Sequence, residues 1–155
     1  MYYFPVVLAA ILADQLTKLW IVRSFELYES MTIIPGLFNL VHVVNKGAAF
    51  SMLASVDSPW RHTFFVAVGL AAMVGLTVVY FQTRKQGHLY GVALALICGG
   101  AMGNLIDRIR LGHVIDFLDF YIRSAHWPVF NVADSSICVG VGLFLLLNFQ
   151  QGRMK

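Results

Sequence analysis

The sequence predicts an all-α membrane protein with four transmembrane helices, a small extramembrane β element and an interfacial helix. The 155 residues are 59% hydrophobic and 12% charged, whereas soluble domains are about 45–50% apolar and about 25% charged. The mean hydropathy is +0.73, and four stretches reach the roughly 20 apolar residues that a bilayer requires. A chain of this length is expected to form a single integral membrane domain, residues 1–155.

The four apolar stretches cover about residues 2–22, 62–83, 86–106 and 135–152. The first contains Asp14 and Lys18 and lacks the basic start of a cleaved signal peptide, so we expect it to be retained as a span. The third carries Gly99, Gly100 and Gly103, a small-residue face that allows another helix to pack closely.

An even number of spans places both termini on the same side of the membrane. The total of basic residues does not decide which side, because the loops opposite the termini contain more of them. Density does favour one side, since four basic residues crowd into two very short segments on the side of the termini. They are Arg84, Lys85, Arg153 and Lys155. We therefore predict that both termini are cytoplasmic.

The two longer connections carry the remaining structural signals. Leu37–Val44 is rich in β-branched and apolar residues and follows a Pro35-Gly36 turn signal, which predicts a strand. Residues 107–133 predict an interfacial helix or an aromatic belt. The aromatic residues behind this prediction are Phe117, Phe120, Tyr121, Trp127 and Phe130.

Several functional classes lack their sequence signals. The net charge of +3 is spread out rather than clustered as nucleic-acid binding requires. The five histidines show no metal-ligand spacing, so we expect neither a metal nor a cofactor. A serine–lysine dyad would need Lys18 or Lys46 to reach Ser135 or Ser136, which are more simply first-turn residues of the fourth span.

Two pairs of polar residues need an explanation at membrane depth. Asp14 and Lys18 are four residues apart and can form a helical ion pair, either as a structural pair or at the edge of an active site. Asn104 and Arg108 have the same spacing. They serve either as interhelical contacts or as support for a site.

Three aspartates near the fourth span are the remaining acidic residues that need an interpretation. Asp119 reads as a solvated residue, whereas Asp116 lies between Ile115 and Phe117, where burial raises a carboxyl pKa. Asp134 precedes the fourth span, either as a helix cap or as a chemical group favoured in its ionised form by the helix dipole. Asp116 with Asp134 is one pairing among several, with Asp116 as the acid and Asp134 as the base.

Five motifs in order resemble the lipoprotein signal peptidase (signal peptidase II) family. They are DQLTK at 14–18, VNKGAAFS at 44–51, GNLIDR at 103–108, GHVIDF at 112–117 and FNVAD at 130–134. The resemblance covers nearly the whole chain, with no departure from the family pattern. It implies a multi-pass aspartic endopeptidase of the bacterial inner membrane, sensitive to globomycin, with its site near the outer (periplasmic) face.

The resemblance also implies the site and the substrate. Asp116 and Asp134 are the implied catalytic pair, and the substrate is a prolipoprotein cut on the amino side of its diacylglyceryl-modified cysteine. Partners are then this substrate and membrane lipid, for an enzyme that we expect to be monomeric. The implied supporting residues are Asp14, Lys18, Asn45, Gly47, Ala48, Asn104, Arg108, Asn131 and Ala133.

A small transporter or proton-conducting protein is the alternative from another class, with Asp14 and Lys18 as an intramembrane relay. The second, third and fourth spans are free of charge and the acids collect at one surface. This distribution disfavours a path across the membrane.

Overall fold

A computed structural model describes residues 2–47 and 59–153. Its helices are α1 (Tyr3–Ser24), α2 (Pro59–Thr83), α3 (His88–Leu111) and α4 (Val132–Arg153). All four are long and apolar enough to cross a membrane, which confirms the predicted number of spans. Helix α3 lies at the centre of the bundle, because it packs against each of the other three.

The glycine face of α3 permits these close contacts. A Cβ atom on Gly99 would lie 2.6 Å from Cβ of Ala10 on α1, and one on Gly100 would collide with the carbonyl oxygen of Ala133 on α4. Gly140 of α4 packs reciprocally, with 2.7 Å between its added Cβ and the carbonyl oxygen of Ala93. Small residues on both helices therefore bring α3 and α4 together, as the sequence predicts.

The extramembrane element is an antiparallel sheet with strands in the order β1 (Ser30–Ile34), β2 (Phe38–Asn45), β3 (Val114–Ile122) and β4 (Ala125–His126). Strand β2 confirms the strand predicted for Leu37–Val44. Strands β1 and β2 are joined at Gly36, which has φ +79°, a conformation that suits glycine. Strand β3 pairs with β2 so that Asp116 lies opposite Val43.

The interfacial helix, one of the two expectations for residues 107–133, is wrong, because strands follow the end of α3; the aromatic belt stays a prediction. Residues Val114–Ile122 are β3, and no helix lies between Leu111 and Val132 in this described stretch. The physical reason is tertiary: pairing with β2 satisfies the backbone, and aromatic and β-branched residues suit a sheet. Asp119 also differs from the prediction of a solvated residue, because it is 5% exposed and bonded to Asn39 and His126.

Helix α3 ends later than predicted, at Leu111 rather than near residue 106. Gly112 ends the helix with φ +78°, and its N–H donates to the carbonyl of Arg108. Many helices end at a glycine in this left-handed conformation. Arg108 and Arg110 lie in the last turn, where cations interact favourably with the helix dipole. Asp107 and Arg108 are therefore helical residues.

Helix α4 begins at Val132, earlier than the predicted residue 135. Asn131 precedes it, and its side-chain oxygen accepts a hydrogen bond from the N–H of Asp134 at 2.9 Å. The Asp134 carboxylate in turn accepts the N–H of Asn131 at 3.3 Å. Asn131 is thus the cap, and Asp134 is the acid of a capping box in the first turn, not the cap itself.

Two contacts hold β3 against the start of α4. Leu118 and Phe130 form a β bridge, with a 2.8 Å hydrogen bond from the Leu118 N–H to the Phe130 carbonyl. A cluster of buried apolar residues joins the end of α1 to the sheet, and Leu118 and Val132 pack against it. Its members are Ile21, Phe25, Ile115 and Phe117.

Candidate active site

Asp116 and Asp134 line one cavity of about 520 Å³ between the sheet and the adjoining ends of α3 and α4. Asn45, Asn104 and Arg108 provide its other polar side chains outside α4. The rest of the wall is largely apolar and comes from Val114, residues 127–130, Ile137 and Cys138. A small group of polar residues in a mainly apolar cleft is typical of a ligand or substrate site.

The Asp116 carboxyl is 3% exposed and accepts a hydrogen bond on each oxygen. Asn45 donates its amide to Oδ2 at 2.9 Å, and Asn131 donates to Oδ1 at 2.7 Å. Burial raises the pKa of Asp116 from its usual value to about 6, and the nearby Asp134 charge contributes to the increase. The two amide hydrogen bonds oppose it, because they favour the ionised form.

The Asp134 carboxylate is less buried than that of Asp116, and it also accepts two hydrogen bonds. Asn104 donates its amide to Oδ1 at 2.8 Å, while the other oxygen accepts the backbone N–H of Asn131. Asp134 also lies in the first turn of α4, where backbone N–H groups favour negative charge. The two aspartates therefore differ in surroundings although they share one cavity, as an acid and a base require.

Each of the three asparagine amides has a donor that fixes its orientation. The Asn45 oxygen accepts the backbone N–H of Gly47 at 2.9 Å, and the Asn131 oxygen accepts the N–H of Asp134. The Asn104 oxygen accepts the Lys18 ammonium at 3.0 Å. Because a donor occupies each oxygen, each NH2 group faces a carboxylate.

Arg108 lies at the edge of the cavity and is fixed on two sides. Its guanidinium is 5.2 Å from the centroid of the Phe65 ring on α2, within the range of a cation–π contact. It also donates to the carbonyl oxygen of Gly47 at 3.3 Å. Arg108 thereby links α2, α3 and the end of β2 beside the two aspartates.

A buried charged cluster lies behind the cavity. Lys18 contacts Asp14 at 2.8 Å and Asp107 at 2.7 Å, and all three side chains are at most 3% exposed. Gln15 donates to Asp107 at 2.8 Å. Asp14 accepts the backbone N–H of Ala133 at 2.9 Å, so the cluster satisfies one of the free N–H groups at the start of α4.

The structure brings together most of the residues predicted for the site. Asp116, Asp134, Asn45, Asn104 and Arg108 line the cavity. The remaining described residues lie behind it: Gly47 and Ala133 contribute backbone groups, Asn131 joins the two carboxyls, and Asp14 and Lys18 act from the buried cluster. Ala48 lies outside the described residues.

Two polar residues of the cluster were not predicted. Asp107 contacts Lys18 across the α1–α3 interface, and Gln15 joins both acids. The spacing between Asn104 and Asp107 is a signal that could have found one of them, because residues three apart share a helix face. The contacts of Lys18 and the two serines agree with the sequence, which disfavours a serine–lysine dyad. Lys18 pairs with carboxylates, and the hydroxyls of Ser135 and Ser136 donate to the carbonyls of Asn131 and Val132.

Residues 6–150 match the model of the family described as signal peptidase (SPase) II. The chain belongs to the signal peptidase II family. It is 51% identical over 144 residues to the lipoprotein signal peptidase of Geobacter metallireducens, covering 92% of this chain and 88% of that protein. The corresponding protein of Geobacter sulfurreducens is 49% identical, with coverages of 97% and 92%.

Solved structures agree with the signal peptidase II assignment. A bacterial membrane enzyme determined by the in meso method at 2.3 Å resolution superposes with a TM-score of 0.86 at 31% identity, covering 99% of this chain and 90% of the other. A second one, at 1.9 Å resolution, gives a TM-score of 0.81 at 32% identity, with coverages of 93% and 90%. This signal peptidase II is thus a protease of the bacterial inner membrane, and a transporter or proton conductor is not favoured.

Proposed function

We propose that this signal peptidase II is an aspartic endopeptidase that releases the signal peptide of prolipoproteins. The bond cut lies on the amino side of a cysteine that carries a diacylglyceryl group. The substrate class comes from the relatives, which are named lipoprotein signal peptidases. The observation that carries the mechanism is that Asp116 and Asp134, in unlike surroundings, line one cavity.

In this mechanism Asp134 is the base and Asp116 is the acid. Asp134 takes a proton from a water molecule as the water oxygen attacks the peptide carbonyl carbon. Asp116 gives its proton to the carbonyl oxygen, which forms a tetrahedral diol. The C–N bond then breaks as Asp134 returns its proton to the leaving nitrogen, and a diol proton returns to Asp116. The products are a signal peptide with a new carboxyl end and a lipid-modified cysteine with a free amine.

The surroundings of the two carboxyls support this division of roles. The pKa of Asp116 is raised to about 6, chiefly by burial, so Asp116 holds a proton more readily than an ordinary carboxyl. Asp134 is less buried than Asp116, accepts the Asn104 amide and the Asn131 N–H, and lies in the first turn of α4.

The position of the cavity suits a substrate that stays anchored in the membrane. Asp116 lies on the extramembrane sheet and Asp134 in the first turn of a span, so water and a lipid-linked peptide can both reach them. The apolar wall offers contacts to apolar parts of the substrate. The sheet lies at the opposite end of the helices from the short α2–α3 turn and both termini. With cytoplasmic termini, the cavity therefore faces the periplasm.

Conversion of a diacylglyceryl-modified prolipoprotein, followed by gel shift, tests the proposal. We expect Asp116→Asn and Asp134→Asn each to reduce processing at least about a thousandfold, because each removes a proton-transfer group. Glu26→Gln is the matched control, since Glu26 is an exposed acid beyond the end of α1. Wild-type rates in both aspartate variants, with Glu26→Gln also normal, would refute the aspartyl mechanism.

A further inference from the structure

Lys18 lies next to the site but outside the cavity. Its ammonium is 2% exposed and has three acceptors within 3.0 Å: Asp14, Asp107 and the side-chain oxygen of Asn104. These three acceptors match the three N–H donors of an ammonium. Lys18 is absent from the cavity lining, so its effect on a substrate must pass through one of these partners.

Asn104 is the partner that reaches the proposed catalytic pair. Its oxygen receives the Lys18 ammonium at 3.0 Å and the Asn131 amide at 3.2 Å. Its NH2 group donates to Asp134 at 2.8 Å. An amide turned by 180° would place NH2 against two donors and its oxygen against a carboxylate, so every one of these contacts would become repulsive.

Asn104 differs from the other two amides of the site in what orients it. Asn45 and Asn131 are oriented by backbone N–H groups two and three residues along the chain, which no side-chain substitution removes. Asn104 depends on side chains from other elements. Of these, only the ammonium is unable to accept a hydrogen bond.

The charges around Lys18 hold it in this position. Asp14 and Asp107 flank the ammonium from α1 and α3, and Gln15 donates to both carboxylates. Arg108 is a second cation in this region, and it interacts electrostatically with Asp107, Asp116 and Asp134. With one cation between two acids, the Lys18 cluster carries a net charge of −1 in its ionised form.

We propose that Lys18 is a positioning residue that acts through Asn104, fixing the amide so that its NH2 group always faces Asp134. The inference rests on the proposed role of Asp134 as the base. Lys18 does not touch the substrate. It keeps a hydrogen-bond donor on the carboxylate that takes the proton from water, and it holds that carboxylate in a reactive position.

The test removes the ammonium without changing the net charge of the cluster, and Asp14 keeps its hydrogen bonds from Gln15 and the Ala133 N–H. The double variant Lys18→Met/Asp107→Asn keeps the net charge of the cluster at −1, which limits the damage to folding. We expect kcat for the lipidated prolipoprotein to fall about tenfold or more, because a small misplacement of a reacting group has effects of this size or larger. KM should stay unchanged, since neither residue lines the cavity. Lys85→Met, at an exposed lysine of the α2–α3 turn, is the matched control.

A double-mutant cycle separates action through Asn104 from a general structural role. In an Asn104→Ala background, with single turnovers at high enzyme concentration, the Lys18→Met/Asp107→Asn change should have no further effect on kcat. An equal loss of kcat in both backgrounds, or a rise in KM with kcat unchanged, would overturn the proposal.

A milder variant keeps the test decisive if the methionine variant does not accumulate as folded protein. Lys18→Gln/Asp107→Asn places both a donor and an acceptor beside Asn104, so the amide can pair in either orientation. A smaller loss of kcat is expected, again absent in the Asn104→Ala background; unchanged kcat in both backgrounds contradicts the proposal. Asp134→Asn distinguishes failure of the proposed function from failure of the Lys18 proposal. A fully active Asp134→Asn enzyme refutes the proposed function itself. An inactive Asp134→Asn enzyme beside additive Lys18 effects refutes only the positioning role.

Discussion

Gly103 of α3 lies directly against the Asp14 carboxyl of α1. A Cβ atom added to Gly103 would be 2.5 Å from Asp14 Oδ2 and 3.4 Å from Cβ of Ala133. The missing side chain therefore makes room for a buried acid that accepts the Ala133 N–H at the start of α4. The glycine serves the site as well as helix packing, since α4 carries Asp134.

We predict that Gly103→Ala lowers the stability of the detergent-solubilised protein by about 1–3 kcal/mol, because overpacking a tight contact has that cost. It should also reduce processing per folded enzyme, since Asp14 must move from the Ala133 N–H. Thermal unfolding and the gel-shift assay measure the two effects. Gly91→Ala is the control in the same helix: no atom lies within 4 Å of its added Cβ, so stability should stay equal or rise. Equal stabilities for Gly103→Ala and wild type would contradict the packing argument.

Asn131 combines a structural and a proposed chemical role that two substitutions can separate. Serine keeps an oxygen to cap the Asp134 N–H, but it lacks the NH2 group that donates to Asp116 at 2.7 Å. Alanine loses both. We predict that Asn131→Ser and Asn131→Ala both reduce kcat about tenfold or more. Asn131→Ala should be less stable than Asn131→Ser by about 1 kcal/mol, the usual contribution of an N-cap. Equal stabilities with equal activity losses would mean that the cap contributes nothing here.

Features that depend on local pattern were predictable from the sequence. The four spans follow from apolar length, and the strand near Leu37–Val44 follows from its β-branched residues after a turn signal. The Asp14–Lys18 pair follows from helical spacing and is formed at 2.8 Å. In each case the residues that decide the structure are neighbours in the sequence.

Features that depend on tertiary contacts were not predictable in this way. Strand β3 forms because β2 pairs with it, although its aromatic residues also suit an interfacial helix. Lys18 reaches Asp107 across a helix interface, a contact that no spacing within α1 indicates. The sequence around Asp119 indicates a surface acid, and only the hydrogen bond from Asn39 on the neighbouring strand reveals its place in the sheet.

Asp119 illustrates how a buried acid can serve the sheet alone. Asn39 donates to one oxygen at 2.9 Å, and the His126 ring lies 2.7 Å from the other. We predict that Asp119→Ala lowers stability by about 1–3 kcal/mol, because the buried Asn39 amide loses its acceptor. The double variant Asn39→Leu/Asp119→Leu should recover much of this loss, since replacing both polar partners removes the unsatisfied group. Thermal unfolding measures both. A double variant less stable than Asp119→Ala would contradict this explanation, because it would show that the pair does more than provide each buried group with a hydrogen-bond partner.

The pKa of Asp116 predicts the pH dependence of processing. The pKa is raised to about 6, first by burial. If Asp116 supplies a proton, the reactive form is lost as the pH rises through this value. We therefore expect kcat/KM of the free enzyme to fall above pH 6, by about tenfold for each pH unit. The profile is measured with the lipidated substrate in one detergent, and with enzyme stability checked at every pH.

Asn45→Ala tests whether Asp116 is the group that titrates, through the direction in which the pH profile shifts. The Asn45 amide favours the ionised form of Asp116 and so lowers its pKa. Removing the amide raises the pKa further, and the decline in kcat/KM should therefore begin at a higher pH in the variant, even if its maximum rate is lower. Asn148→Ala is the control, because the Asn148 amide donates to the carbonyl of Phe144 within α4 and does not line the cavity. A decline at the same pH in Asn45→Ala and wild type would assign the titration to a group other than Asp116.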